Sequence, residues 1–116
     1  MIEQVRPADF SAWVNAAAPA QPIVLDVREP WEVQTASVTP DGFTLLHIPM
    51  QSLPARVAQL VELHGPDTPI ACLCHHGVRS QQVAHFLLQH GFRHVVNLQG
   101  GIAAWGEQLD RNIAPY

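Results

Sequence analysis

The 116-residue chain reads as an α/β fold: a three-layer sandwich whose mainly parallel sheet, of about five strands, carries helices on both faces. Three observations predict it. Short apolar runs bounded by turn residues recur along the chain. Segments with apolar residues at helical spacing separate them. The runs are apolar at consecutive positions rather than alternating ones, as in strands buried on both faces.

Taken in order, Pro7 to Ala17 starts with a proline and places Phe10, Trp13, Val14 and Ala17 at helical spacing. "PAQP" (Pro19 to Pro22) is a loop, and "PIVLDV" (Pro22 to Val27) is the first strand. "FTLLHIP" (Phe43 to Pro49) is the next. Leu53, Val57, Leu60 and Val61 line one face of a second helix, with Ser52 placed to cap it and Gly65 beyond its end. "PIACLC" (Pro69 to Cys74) is a strand. Val83, Ala84, Leu87 and Leu88 mark a third helix closed by Gly91. "HVVNL" (His94 to Leu98) is the last strand, and Ile102, Trp105 and Leu109 mark a short final helix.

Length predicts one domain over residues 1–116, with 47% hydrophobic and 14% charged residues, enough to bury a core. The net charge is -4 and the six basic residues are scattered arginines, which argues against a nucleic-acid partner. No run is long enough to cross a bilayer, and "MIEQVRPADF" lacks the features of a signal peptide. A cytoplasmic protein with no membrane partner is expected. Two cysteines one residue apart make a poor disulfide framework.

The chemistry concentrates in "CLCHHGVRSQQ" (Cys72 to Gln82). Cys74 stands where a strand ends, the place where open α/β sheets put their working residues. With a helix starting near Arg79 or Ser80, His75, His76, Gly77 and Val78 form a tight turn around the sulfur. Gly77 supplies the conformational freedom. Turn N–H groups, the helix dipole and the Arg79 charge all favour a thiolate. Such surroundings bring a cysteine from a pKa of ~8.5 to roughly 3.5–7.5. The same turn would cradle an incoming oxyanion. Cys72, inside the strand, reads as a buried structural thiol.

Three segments in order resemble the rhodanese (sulfurtransferase) family. They are "VLDVREPWE" (Val24 to Glu32), "CHHGVRS" (Cys74 to Ser80) and "NLQGGIAAW" (Asn97 to Trp105). The resemblance implies a parallel sheet of about five strands. It implies that Cys74 takes a sulfane sulfur from a donor, thiosulfate or a related persulfide or thiosulfonate. Cys74 would carry it as a persulfide to a thiophilic acceptor such as cyanide or a thiol. The backbone of His75, His76, Gly77, Val78, Arg79 and Ser80 would hold the sulfur's charge. Four residues separate Cys74 from Arg79, whereas related phosphatases use Cys-x5-Arg, so sulfur transfer is favoured over phosphoryl transfer. Val33 to Met50 stands where many members carry Gly-His-Ile-x-Gly-Ala. His75 stands where an Arg or Lys is frequent, making loop charge depend on pH near ~6.5.

Asp26 and Arg28, at the end of another strand, read as a hydrogen-bonded pair bracing the loops. Arg79 either binds a donor oxyanion or ties down the loop. Trp31 and Trp105 read as packing residues, and the remaining histidines as surface or satisfied polar groups. Cys72, Cys74, His75 and His76 carry donor atoms zinc or copper would accept, but adjacent histidines after a strand rarely converge with two thiols. Neither metal nor cofactor is expected. A second function, from another class, is a relay or binding module that delivers persulfide to a protein acceptor with little small-molecule turnover.

Overall fold

The apolar runs form a parallel sheet because the central ones bury both of their faces. The computed structural model describes all 116 residues. Its strands are β1 (Glu3–Val5), β2 (Ile23–Asp26), β3 (Thr44–His47), β4 (Ile70–Leu73) and β5 (Val95–Leu98). They lie in the order β1-β5-β4-β2-β3, all parallel. The helices are α1 (Phe10–Ala17), α2 (Pro30–Thr35), α3 (Leu53–His64), α4 (Val78–Gln89) and α5 (Gly101–Gln108).

Alternation along the central strands splits the core into two layers. Ile23, Leu25, Ile70 and Cys72 pack with Leu53, Val57 and Leu60 of α3 and with Val83 and Leu87 of α4. Val24, Ala71, Leu73, Val96 and Leu98 pack on the opposite side with Phe10 of α1 and Ile102 and Trp105 of α5. Phe10 sits edge-on to both Phe43 and Trp105, with ring centroids 5.4 and 4.7 Å away. Cys74 belongs to the same layer as Cys72, as the strand period requires.

The four predicted strands and four predicted helices are all present, each strand one to three residues shorter than its apolar run. Several details differ. The first helix opens with a 3-10 turn (Pro7–Asp9) before α1. Ser52 precedes α3, but its hydroxyl caps nothing because its backbone is already helical, at the end of a 3-10 turn. The helix after the active loop begins at Val78, ahead of Arg79 and Ser80, since Gly77 with φ +103° already turns the chain. Two elements were not anticipated: the edge strand β1 and the six-residue α2.

The register places the site. Asp26 pairs with Leu73, so the carboxyl ends of β2 and β4 lie side by side. Arg28 follows one and Cys74 the other. No helix is long and apolar enough to cross a membrane.

Candidate active site

The chain leaves β4 at Cys74 and enters α4 at Val78. The loop between them is held from below by α5. The N–H of Ile102 donates to the Cys74 carbonyl (2.9 Å) and that of Ala103 to the His75 carbonyl (3.1 Å). This approach needs glycine at position 101, with φ +61°; a Cβ there would lie 2.4 Å from the His75 oxygen and 2.5 Å from the Cys74 oxygen. The paired glycines of "NLQGGIAAW" thus have a packing cause.

The Cys74 residue is only 1% exposed. Two polar groups reach its sulfur: the Gly77 N–H, which donates at 3.0 Å, and the Ser80 hydroxyl at 3.2 Å. Gly77 therefore does two jobs, turning the chain and presenting its amide. The N–H groups of the other loop residues do not bond the Cys74 sulfur itself. Ser80 is fully buried and its oxygen is also 2.6 Å from Oδ1 of Asn97 on β5.

Arg79 turns away from the sulfur and makes a two-point ion pair with Glu32 of α2, at 2.6 and 2.9 Å. The pairing holds the Glu32 carboxyl at about 2, Arg79 acting most strongly, with Tyr116 and the Glu29 N–H assisting against the cost of burial. The same pair drives the Arg79 guanidinium upward. Of the two roles open to Arg79, the geometry matches the tie that secures the loop.

Arg28 is fully buried, and its side chain is satisfied throughout. Its Nε and Nη2 donate to Asp26 at 2.9 and 2.7 Å. Nη2 also donates to the Ala36 carbonyl (2.8 Å), and Nη1 to the Glu32 carbonyl (3.3 Å) and the Tyr116 hydroxyl (2.9 Å). Burial opposes its charge, but the bonds to Asp26 and Tyr116 outweigh it and raise the pKa. Asp26 and Arg28 are a structural brace, fixing the path from β2 into α2. His47 completes it, its Nε2 donating to the Arg28 carbonyl at 2.7 Å.

Tyr116 links the two ion pairs. Its hydroxyl accepts from Arg28 and donates to Glu32 Oε2 at 2.8 Å. Its ring stacks on His75 with centroids 3.9 Å apart and planes 6° from parallel, and His75 stacks in turn on His76. Burial, then the neighbouring His76, lowers the His75 pKa. The pH dependence expected near the ordinary histidine value thus lies lower for His75.

Burial pushes the Cys72 thiol up, with the nearby Cys74 adding to it. Both thiols are free. No group of three or more His, Cys, Asp or Glu side chains is arranged to hold a metal ion. Trp105 is buried, but Trp31 is 61% exposed and touches the Tyr116 ring edge-on, which corrects its reading as a packing residue. Sequence reasoning also left Glu32, Asn97 and Tyr116 without roles. A Pro30 start with an acid two residues on was the one available signal for Glu32, whose Oε1 accepts the Glu29 N–H. Tyr116 had no local signal.

The rhodanese-like domain family matches residues 7–108. The chain belongs to that family. A sulfurtransferase of Allochromatium vinosum is 32% identical over 93 residues, covering 80% of this chain and 79% of the relative. The thiosulfate sulfurtransferase GlpE of Vibrio cholerae is 32% identical over 82 residues, covering 71% of this chain and 70% of GlpE. A rhodanese-related protein of Thermoplasma volcanium superposes with a TM-score of 0.70 at 30% identity, covering 92% of this chain and 93% of that one. A five-stranded parallel sheet with helices on both faces is the architecture the rhodanese resemblance implied.

Proposed function

We propose that residues 1–116 act as one rhodanese-type sulfurtransferase domain with Cys74 as its nucleophile. The Cys74 thiolate attacks the outer sulfur of a donor such as thiosulfate. A Cys74–sulfur bond forms, the sulfur–sulfur bond of the donor breaks, and sulfite leaves with that electron pair. The persulfide then yields its outer sulfur to an acceptor such as cyanide or a thiol, returning the Cys74 thiolate. No outside oxidant or reductant is needed.

The observation that carries this reading is the pair of groups at the sulfur, the Gly77 N–H and the Ser80 hydroxyl, both able to donate to a sulfur anion, at a strand end feeding a helix. Such donors stabilise a sulfur anion without a separate base. In this role Gly77 and Ser80 contact the reacting sulfur, while His75, His76 and Val78 shape the mouth. Arg79, Asp26 and Arg28 hold the loop in register. The free thiols suit a reducing cytoplasm.

The alternative, a relay that passes persulfide to a protein acceptor, is favoured by one feature. Trp31 and Val78, each adjoining a member of the Glu32–Arg79 pair, are 61% and 69% exposed and offer apolar contact beside the loop.

Intact-protein mass spectrometry after incubation with thiosulfate tests the reading. Wild type and Cys72→Ser gain one sulfur atom, removable by cyanide, and Cys74→Ser does not. Sulfur retained by Cys74→Ser but lost from Cys72→Ser would assign the other thiol. Loading without rapid thiocyanate release would favour the relay.

A further inference from the structure

Ser80 has one hydroxyl proton and two neighbours competing for it: Cys74 Sγ at 3.2 Å and Asn97 Oδ1 at 2.6 Å. Which one receives it depends on how the Asn97 amide is oriented. The Gly77 carbonyl decides that, since a backbone carbonyl only accepts. It lies 3.1 Å from Asn97 Nδ2, so the NH2 group must face it. The second proton of that NH2 goes to Gln4 Oε1 at 3.0 Å. Gln4 is oriented in turn by donating from Nε2 to Gln81 Oε1 at 2.5 Å. Reversing the Asn97 amide would set its oxygen against the Gly77 oxygen. Oδ1 therefore faces Ser80 and accepts its proton, leaving a Ser80 lone pair toward the sulfur.

From this we infer that Asn97 is a positioning residue that holds the Ser80 proton away from Cys74 while the sulfur is a thiol. The S–H then donates to Ser80. When the sulfur becomes an anion, the Ser80 hydroxyl turns to it and Asn97 Oδ1 loses its donor. Asn97 is only 3% exposed, so the orphaned oxygen opposes ionisation. The device restrains the resting thiol without touching it. Its role in catalysis rests on the sulfurtransferase reading above; its effect on the thiol does not.

The test is the rate of Cys74 alkylation by iodoacetamide against pH, in a Cys72→Ser background, with Asn97→Leu made in both the Ser80 and Ser80→Ala chains. Leucine keeps the volume and removes the acceptor. With Ser80 present, the alkylation profile moves to lower pH by about one unit, a rate increase of roughly tenfold on its rising limb. With Ser80→Ala the same substitution leaves the profile where it was. A purely structural role would shift both chains alike, and that result overturns the inference, as does an unmoved profile with Ser80 present. Should Asn97→Leu fail to fold by circular dichroism, Asn97→Ala is read the same way. The assay needs no sulfur donor. A shifted profile in a protein that never gains sulfur would sink the proposed function and leave this inference standing.

Discussion

Arg79, on α4, and Glu32, on α2, are joined at two points, guanidinium to carboxylate, 47 residues apart in sequence. Glu32 is buried while Arg79 remains one-third exposed. The pair ties the first turn of α4, and with it the active loop, to the segment following β2. Removing one partner of a fully buried pair costs about 3–5 kcal/mol, and solvent access to Arg79 reduces that. Glu32→Gln is therefore expected to destabilise the fold by roughly 2 kcal/mol and lower Tm by several degrees. Thermal unfolding at neutral pH checks this; an unchanged Tm would show that water replaces the carboxylate at no cost.

The same pair sets an acid limit. The Glu32 carboxyl titrates at about 2 in the folded chain against an ordinary 4.5. The folded state therefore binds its proton less readily than the unfolded state. The stabilisation is complete above about pH 4.5 and drains away as pH falls toward 2. The stability difference between wild type and Glu32→Gln, from urea unfolding, should narrow over that window. A difference that stays constant down to about pH 3 would contradict the assigned cause.

What was legible in the sequence follows from where the physics is local. The central strands announced themselves because each is apolar at three or more of its four positions and buried on both faces. Cys74 was legible because strand end, glycine and helix start are contiguous. β1 was not: it has three residues, two of them exposed at the sheet edge. Nor was α2, whose six residues include the exposed Trp31 and present no apolar face. The partners of Arg79 and Tyr116 lie 47 and 84 or more residues away, and no periodicity encodes such meetings. Asn97 sat in a quoted motif, yet its work depends on which way a neighbouring carbonyl points.

Cys72 and Cys74 lie on one face of the same strand path, but only one should react. Cys72 is wholly buried in the core between the sheet and helices α3 and α4, and burial raises its thiol pKa. In native protein, iodoacetamide should modify Cys74 alone up to about pH 9, with Cys72 reacting only after denaturation. Peptide mapping by mass spectrometry distinguishes the two. Early labelling of Cys72 would mean that this layer opens in the native state.

The Tyr116 ring stacks on His75, whose pKa is lowered by burial first and by His76 second. Tyr116→Phe keeps the stack but takes one acceptor from Arg28 and one donor from Glu32, and should cost about 1 kcal/mol. Tyr116→Ala also uncovers the imidazole, so the His75 titration should move up toward its ordinary value of 6.5. Proton NMR of the histidine Cε1–H signals reads this directly. If His75 titrates identically in Tyr116→Phe and Tyr116→Ala, the ring is not what shields it.

Two glycines of α5 should respond oppositely to alanine. At Gly106 an added Cβ meets Ile113 at 3.4 Å, an ordinary contact, and helix propensity favours alanine by about 1 kcal/mol. At Gly101 the added Cβ falls 2.4–2.5 Å from the carbonyl oxygens of His75 and Cys74, backbone atoms that cannot step aside without moving the loop. Positive φ adds its own strain. Gly101→Ala should cost more than about 3 kcal/mol, while Gly106→Ala is neutral or stabilising. Any folded Gly101→Ala should also show altered Cys74 alkylation, because relieving the overlap displaces the carbonyls that α5 holds and the sulfur's own residue with them. Unfolding and alkylation measured on both variants separate the two effects: lost stability with normal alkylation would mean that α5 shifted and the loop stayed in place.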